Sequence, residues 1–186
     1  MRQCWGAGCL SLGLSMIIVV MGVAGSGKTT VGTMLAEAMD CPFLDGDSLH
    51  PDANVEKMAR GIPLTDADRA PWLAAIHARL LDAFRSGRSL VAGCSGLRRS
   101  YRAALAEGIA ITWVYLKGSE ALIASRLRQR DGHYMKADML ASQFATLEEP
   151  SDAIVVDVSE PPAVIVEHVL AELRTPTRVD GRPDDP

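Results

Sequence analysis

Residues 22–29 read Gly22-Val-Ala-Gly-Ser-Gly27-Lys28-Thr29, and this octet decides the fold class. An apolar run at 17–21 precedes it, and apolar residues at helical spacing follow it. A glycine-rich loop between a strand and a helix lets backbone N–H groups converge on an anion, and the helix dipole adds to the attraction. The spacing GxxxxGK(S/T) in this setting predicts a binding site for a nucleoside triphosphate.

Two side chains of the octet have specific chemical roles in such a site. The Lys28 ammonium reaches the β- and γ-phosphates, and the Thr29 hydroxyl is a ligand for Mg²⁺. We therefore expect ATP and Mg²⁺ as cofactors. The expected nucleotide-binding residues are Gly22, Gly25, Ser26, Gly27, Lys28, Thr29 and Thr30, together with Arg126 from a later segment.

Length and composition exclude several classes of protein. The chain has 186 residues, of which 48% are apolar and 23% charged, which is typical of one globular domain. The net charge of −4 supplies no general basic field for nucleic acid. No run reaches the roughly 18 apolar residues of a membrane helix. Cys41 and Cys94 adjoin apolar runs and are expected to be buried and reduced, as in a cytoplasmic protein. From the charge and the apolar runs, we expect neither nucleic-acid nor membrane partners.

Predicted strands and helices alternate along the chain. The strands are expected at 17–21, 42–44, 89–93, 110–116 and 153–158, and the helices at 29–39, 52–60, 68–86, 99–107, 120–130, 137–147 and 162–173. Apolar strands separated by helices predict a three-layer α/β/α fold around a parallel sheet of about five strands. We expect an N-terminal extension at 1–15, a catalytic domain at 16–174 and a disordered C-terminal tail at 175–186.

The short chain favours a kinase for a small molecule, with a mobile lid, over other nucleotide hydrolases. Its asparagine, Asn54, does not form the NKxD motif that a GTPase uses for guanine. Asp45 and Asp47 flank Gly46 at the end of the second strand, where ligands bind in doubly wound sheets. We assign Asp45 to Mg²⁺ and Asp47 to the acceptor hydroxyl. The alternative is a turn with two solvated aspartates.

The segment after this turn contains further candidates. His50, Asn54 and Lys57 are spaced to lie near one face of a short helix. Asp66 or Asp68 either caps the next helix or contributes to the site. That helix is expected to bury an apolar face, and Trp72 is expected in the core rather than as a ligand platform. The expected members of this face are Leu73, Ile76, His77, Leu80, Leu81 and Phe84.

Two basic segments complete the candidate site. Arg98, Arg99 and Arg102 follow the third strand, where positive charge is disfavoured by the dipole of the helix that starts there. This mismatch points to an anionic substrate, and the alternative is a solvated helix start. The segment from Arg126 to His133 contains arginines and a glycine, as expected of a lid that brings positive charge to the transferred phosphoryl group. The alternative there is an ordinary basic helix end.

The motifs together resemble a known family. They are MGVAGSGKTT, FLDGDSLHPDANVEKMARGIPLTDADRAPWL, CSGLRRSYR, VYLKG, SRLRQRDGHYM and SQFATLEEP, and they resemble the thermoresistant gluconokinases over about residues 16–173. The resemblance implies a phosphate-loop fold similar to that of nucleoside monophosphate kinases. It also implies phosphorylation of D-gluconate by ATP to 6-phospho-D-gluconate, which feeds carbohydrate-acid catabolism and the pentose phosphate pathway, usually by a homodimer. Gly96, where the family is expected to have alanine, and the extension at 1–15 depart from the pattern.

The resemblance and the residues together give a set of expected roles. The expected catalytic residues are Lys28, Asp47, Arg126 and Arg130, and the expected metal ligands are Thr29 and Asp45. The expected substrate-binding residues are Asp47, His50, Asn54, Lys57, Arg69, Arg98, Arg102 and His133. Two alternatives stay open: a kinase for another small acid such as shikimate, which leaves the HPxxN block unexplained, and a nucleotide switch without an acceptor.

Overall fold

One parallel sheet of five strands forms the centre of the structure, in the order β2-β3-β1-β4-β5. The structure is a computed structural model, and it describes residues 15–129 and 137–175. The elements are β1 (Ile17–Met21), α1 (Lys28–Ala38), β2 (Phe43–Asp45), a 3₁₀ turn (Gly46–Leu49), α2 (Asp52–Ala59), α3 (Asp66–Arg85), β3 (Leu90–Gly93), α4 (Arg99–Leu105), β4 (Ile111–Lys117), α5 (Glu120–Arg128), α6 (Ala137–Thr146), β5 (Ile154–Asp157) and α7 (Pro162–Arg174). The predicted three-layer fold is confirmed.

Alternate side chains of each strand supply two separate cores, because successive residues of a strand point to opposite faces of the sheet. On β1, Ile18 and Val20 pack against α1, α5, α6 and α7. Ile17, Val19 and Met21 pack against α3 and α4 on the other face. All five residues of β1 are buried, as expected for a central strand covered on both sides.

Helix α3 begins two residues earlier than the sequence pattern predicts. The Thr65 side chain accepts a hydrogen bond from the Asp68 backbone N–H, and the Asp68 carboxylate accepts one from the Thr65 N–H. This reciprocal capping box stabilises the first turn, so Asp68 does serve as part of a cap. The predicted burial of Phe84 is wrong: its side chain is 37% exposed, and Ala83 occupies the buried position.

The two cysteines within the described parts of the chain differ in burial. Cys94 is buried as predicted, and burial raises its pKa to about 12, so the thiol stays protonated at neutral pH. The prediction of burial is only partly correct for Cys41, which is half-buried, with its pKa raised mainly by burial. Within the described ranges, no helix combines the length and apolar character that a membrane crossing requires.

Gly46, the first residue of the 3₁₀ turn, provides a test of the packing beneath the site. A Cβ atom there would lie 2.4 Å from the backbone oxygen of Gly93 in β3. We expect Gly46→Ala to lower the free energy of unfolding by about 2–3 kcal/mol, since an interior strand cannot move aside. Urea denaturation measures this change.

Gly87→Ala is the matched control. Gly87 has a φ of +63° and no atom within 4 Å of the added Cβ, so only its left-handed backbone conformation carries a cost. We expect a loss of about 1 kcal/mol there. A loss at Gly46 no larger than the loss at Gly87 would contradict the packing argument.

Candidate active site

Three loops leave the same edge of the sheet because their strands are parallel neighbours. Asp45 at the end of β2 is paired with Gly93 at the end of β3, and Gly93 is paired with Val20 in β1. The phosphate loop at 22–27, the turn that contains Asp47, and the segment that starts at Cys94 therefore converge. This is the carboxyl edge, where ligands bind in folds of this class.

The backbone of the phosphate loop requires glycine at particular positions. Gly22, Gly25 and Gly27 have φ values of +148°, +81° and +101°. A Cβ on Gly22 would lie 2.8 Å from the Ser26 hydroxyl oxygen and 3.0 Å from the Leu116 carbonyl oxygen. The loop is thus a tight cradle directly before α1, whose first residue is Lys28.

The polar groups of this loop fit a bound phosphate chain. The Lys28 Nζ atom donates to the carbonyl oxygens of Gly22 and Val23, each at 3.2 Å, and lines the adjoining pocket. The Ser26 hydroxyl is buried and has no hydrogen-bond partner among the described residues. A buried polar group without a partner is costly unless a ligand satisfies it. Thr29 and Thr30 are exposed in the first turn of α1.

A cavity lies on the α7 side of the phosphate loop. Its lining residues are Gly25, Ser26, Gly27, Thr30, Val31, Arg126, Gln129, Glu160, Pro162 and Ile165. Arg126 donates from Nη2 to the Val158 carbonyl oxygen, which holds its guanidinium at this cavity. Four of the expected nucleotide-binding residues line the same cavity in addition to Arg126. Arg130 and His133, the other predicted lid residues, lie outside the described residues.

A second pocket lies between the phosphate loop, the 3₁₀ turn and the start of α3. Its lining residues are Ala24, Lys28, Asp47, His50, Met58, Ile62, Pro63, Leu64, Arg69, Trp72, Ser95, Leu97, Tyr101, Ser142 and Gln143. The structure thus brings four predicted residues together around one space, namely Lys28, Asp47, His50 and Arg69. We call this space the acceptor pocket.

His50 forms one wall of the acceptor pocket by stacking on Trp72. Their ring centroids are 4.3 Å apart, with an angle of 10° between the planes. Trp72 is buried, as predicted, and its indole N–H donates to the Gly46 carbonyl oxygen at 2.7 Å. Burial lowers the pKa of His50 despite the nearby charge of Asp47, so the imidazole is neutral at pH 7. His50 therefore offers a hydrogen bond rather than a positive charge.

Asn54 and Lys57 are placed differently from the prediction. Neither side chain lines the acceptor pocket. Asn54 is buried, and its amide donates to the Asp68 carbonyl oxygen at 2.7 Å. The Lys57 ammonium lies 2.6 Å from the Asp68 carboxylate. Both residues attach α2 to the first turn of α3, so the structure gives them a supporting position.

Asp66 organises the basic side chains at the rim of the pocket. Its carboxylate accepts a hydrogen bond from the Tyr101 hydroxyl and lies 2.8 Å from Arg98 Nη1. The guanidinium groups of Arg98 and Arg69 both lie 5.7 Å from the centroid of the Tyr101 ring. The Tyr101 hydrogen bond, followed by both guanidinium groups, lowers the pKa of Asp66. Arg98 is thus closely paired with Asp66, whereas Arg69, whose Nη1 lies 3.8 Å from the same carboxylate, also lines the pocket.

Arg102 also differs from its predicted role. Its side chain is buried, and Nη1 donates to the carbonyl oxygens of Gly96 at 2.8 Å and Leu97 at 3.4 Å. It does not line the acceptor pocket, because its guanidinium stabilises the turn before α4.

The positive charge at the start of α4 is offset by Glu148, whose carboxylate accepts a hydrogen bond from the Arg99 backbone N–H at 2.7 Å. A distant carboxylate therefore caps the helix.

The two aspartates of the turn occupy different positions. Asp45 Oδ1 accepts a hydrogen bond from the Asp47 backbone N–H at 3.0 Å and caps the 3₁₀ turn. Asp47 is exposed to the acceptor pocket, on the same lining as Lys28. In residues 15–129 and 137–175, no three His, Cys, Asp or Glu side chains form a ready metal cage. Mg²⁺ characteristically takes one or two protein ligands together with substrate phosphates, so the lack of a cage is compatible with such an ion. Neither Thr29 nor Asp45 lines the acceptor pocket or the cavity beside the phosphate loop, and their assignment to Mg²⁺ stays a prediction.

Comparison with known proteins identifies the family. The profile described as an AAA domain matches residues 17–150. The gluconokinase of Gluconobacter oxydans is 48% identical over 157 residues, which cover 82% of this chain and 88% of the relative. The thermoresistant gluconokinase of Escherichia coli is 45% identical over 150 residues, covering 78% and 86%. The chain belongs to the gluconokinase family. The crystal structure of a gluconokinase from Sinorhizobium meliloti matches with a TM-score of 0.79 and 48% identity, covering 86% and 92%.

Membership of the gluconokinase family confirms the resemblance drawn from the sequence motifs. Several residues that line the acceptor pocket were not among the predicted ligands, notably Tyr101, Ser142 and Gln143. All three lie inside quoted motifs, CSGLRRSYR and SQFATLEEP, so the motifs held a signal. The motifs did not indicate which of their side chains point into the pocket.

Asp68 gives a pH-dependent test of the support beneath the site. The hydrogen bond from Lys57, followed by those from Thr65, lowers the pKa of Asp68 to about 2. A lowered carboxyl pKa contributes stability above the unfolded value, near 3.9, and that contribution is lost as pH falls toward 2. We expect Asp68→Asn to be less stable than the wild type at pH 7, with the gap narrowing between about pH 4 and 2.

Thermal melts of both proteins across this pH range measure the gap. Asp82→Asn is the control, since the Asp82–Arg88 pair is exposed and pairs of that kind contribute about 0–1 kcal/mol. A gap for Asp68→Asn that is the same at pH 7 and pH 3 would contradict the assignment.

Proposed function

We propose that this chain is a gluconokinase that transfers the terminal phosphoryl group of ATP to the primary hydroxyl of D-gluconate, giving 6-phospho-D-gluconate. One observation carries the proposal for a member of this family. Lys28, which carries the ammonium group at the phosphate loop, lines the same pocket as Asp47, His50 and Arg69. A phosphate-binding group and acceptor-binding groups thus share one continuous space, as a direct transfer between two substrates requires.

The donor side supplies positive charge and backbone N–H groups. In a loose phosphoryl-transfer transition state the protein mainly positions the groups and neutralises their charge. Lys28 carries this role at the loop, and Arg126 borders the nucleotide cavity. Thr29 and Asp45 would hold Mg²⁺, which supplies charge neutralisation at the phosphates when bound. Arg130 is proposed to add a further positive charge.

The acceptor side has separate groups for the hydroxyl and for the rest of the molecule. Asp47 is proposed to accept a hydrogen bond from the acceptor hydroxyl and orient it, and its position on the same pocket lining as Lys28 supports this role. The neutral His50 ring offers a further hydrogen bond to a polyol chain. His133 stays a proposed substrate ligand from outside the described residues.

Arg69 is the best candidate to bind the acceptor carboxylate. Its Nη1 donates to the Leu64 carbonyl oxygen at 2.6 Å, which fixes the guanidinium at the pocket wall. A guanidinium binds a carboxylate through two parallel hydrogen bonds when its other N–H groups are free to face it. Arg98 is less suitable, because it does not line the pocket and its ion pair with Asp66, at 2.8 Å, is shorter than the 3.8 Å pair between Asp66 and Arg69.

Three further expectations belong to the proposal. A homodimer is expected from the resemblance to the gluconokinases. A cytoplasmic location is supported by the buried, protonated thiol of Cys94. Residues 1–15 and 175–186 are proposed to be dispensable for the reaction, because the described residues that line the two pockets of the site all lie between Ala24 and Ile165.

An acceptor panel tests the function. ADP release is measured with ATP and gluconate, glucose or shikimate, each below saturation. Two charge-assisted hydrogen bonds to a carboxylate are together worth about 3–6 kcal/mol, so kcat/KM for gluconate should exceed that for glucose by about a hundredfold or more. Lys28→Ala, which is expected to fold normally, should retain less than about a tenth of the turnover.

Each unexpected outcome has a distinct meaning. Equal rates with gluconate and glucose would refute recognition of a carboxylate. A preference for shikimate would replace gluconate as the acceptor. ADP release that is independent of every acceptor would favour a nucleotide switch.

Arg69 and Arg98 form a matched pair for locating the carboxylate site. Arg69→Gln should raise KM for gluconate about tenfold or more while KM for ATP changes by less than about twofold, because the charge-assisted bonds of the guanidinium are lost from the acceptor side. Arg98→Gln should have a clearly smaller effect. Steady-state kinetics with each substrate varied in turn decide the question, and a larger effect at Arg98 would reverse the assignment.

A further inference from the structure

Gln143 lines the acceptor pocket, and its side-chain amide forms a hydrogen bond with the phosphate loop. Its Oε1 accepts a hydrogen bond from the Ala24 backbone N–H at 2.7 Å, across 119 positions of sequence. A backbone N–H is only a donor, so the oxygen of the amide must face the loop and the NH₂ group must face away from it. This assignment leaves no freedom to exchange the two ends of the amide.

The NH₂ group of Gln143 is the part available to a ligand. Gln143 is half-buried and lines the acceptor pocket. Among the described residues, its only recorded hydrogen bond is the one from Ala24 to Oε1. Two N–H donors are thus presented at a pocket that also contains the Lys28 ammonium.

The position of this amide along the loop indicates which phosphate it meets. Lys28 Nζ contacts the carbonyl oxygens of Gly22 and Val23, and Ala24 is the next residue. The lysine of such a loop serves the β- and γ-phosphates. The Gln143 amide therefore lies beside the end of the loop where the terminal phosphate is held, on the side that opens toward Asp47.

Glu148, five residues later, keeps this part of the chain in place. Its backbone N–H donates to the Leu97 carbonyl oxygen at 2.8 Å, and its carboxylate accepts from the Arg99 N–H at 2.7 Å. Gln143 is thus supported at the loop by Ala24 and, through the end of α6, at the start of α4. An amide held in this way needs little reorganisation to contact a ligand.

We propose that Gln143 donates a hydrogen bond to the terminal phosphoryl group of the bound triphosphate and thereby makes the site bind ATP in preference to ADP. The inference rests on the proposed function, since it takes ATP as the donor. An amide suits this position because its N–H groups can donate to anionic phosphoryl oxygens and to a neutral acceptor hydroxyl without adding charge. A diphosphate, which lacks the terminal group, forms no such bond.

Nucleotide binding measured without gluconate tests the inference. Calorimetry with Mg²⁺ compares ADP with the β,γ-imido analogue of ATP on the full-length wild type, Gln143→Met, Gln143→Glu and Ala145→Glu. Gln143→Met should weaken binding of the analogue about tenfold or more and leave ADP binding within about twofold, since a hydrogen bond to a charged group is lost only for the triphosphate. Thermal melts confirm that each variant is folded.

Gln143→Glu separates the donor from the tether. Its carboxylate still accepts from the Ala24 N–H but has no donor and carries a negative charge, so the analogue should lose more affinity than ADP. Ala145→Glu places the same charge on an exposed position of α6, and both affinities should stay within about twofold of the wild type.

Three results would overturn the inference. Equal losses for ADP and the analogue would mean that Gln143 only supports the loop. Tighter binding of the analogue to Gln143→Met would mean that Gln143 competes with phosphate for the Ala24 N–H. Unchanged nucleotide affinities with a raised KM for gluconate would move Gln143 to the acceptor. Failure of the acceptor panel leaves these binding measurements interpretable, so the two proposals fail separately.

Discussion

The positive φ angles of the phosphate loop are the constraint on which the rest of the site depends. Gly22, Gly25 and Gly27 allow the chain to turn between β1 and α1 in a conformation that side-chain-bearing residues rarely adopt. A Cβ on Gly22 would collide with the Ser26 hydroxyl oxygen inside the turn. The turn directs Lys28 back over the loop, where its ammonium meets two loop carbonyl groups. The positive charge, the loop N–H groups and the helix terminus thus face one space.

The acceptor side depends on two aspartates in the first turn of α3, each holding a different neighbour. Asp68 binds Lys57 of α2 and completes the cap with Thr65. Asp66 binds Tyr101 and Arg98 from the start of α4. One helix turn therefore holds α2 and the start of α4 beside the acceptor pocket. Asp66 lies within ion-pair distance of both Arg98 and Arg69, so these three side chains together keep one net positive charge, which suits a substrate with a single carboxylate.

The segment from Gln143 to Glu149 connects the two sides of the site. Gln143 contacts the phosphate loop at Ala24, and Glu148 contacts the segment before α4 and the first N–H of that helix. Glu149 pairs with Lys117 at the end of β4. Donor and acceptor regions thus share one support. This arrangement also resolves the apparent conflict of an arginine-rich helix start, because the stabilising carboxylate comes from a distant part of the chain.

Local features of the chain specify the fold and the phosphate loop. The octet at 22–29 contains the glycines that its turn requires and the lysine and threonine of a phosphate site. The apolar periods place the strands and helices within two residues of their observed ends. The family was also recognisable from the motifs, since these hold many residues at set spacings. Lys28, Asp47, His50 and Arg69, predicted from the sequence, do line one pocket.

Tertiary packing alone decided what the remaining polar side chains contact. The residue types of Asn54, Lys57 and Arg102 are common among substrate ligands. In the structure, however, these side chains contact Asp68 or backbone carbonyl groups. Nothing in the local sequence distinguishes Tyr101 and Gln143 from other helix residues, yet both line the pocket. The physical reason is that a polar side chain forms its hydrogen bonds with the groups that tertiary packing brings within reach. Those partners lie up to 119 positions away in the chain, beyond any local pattern.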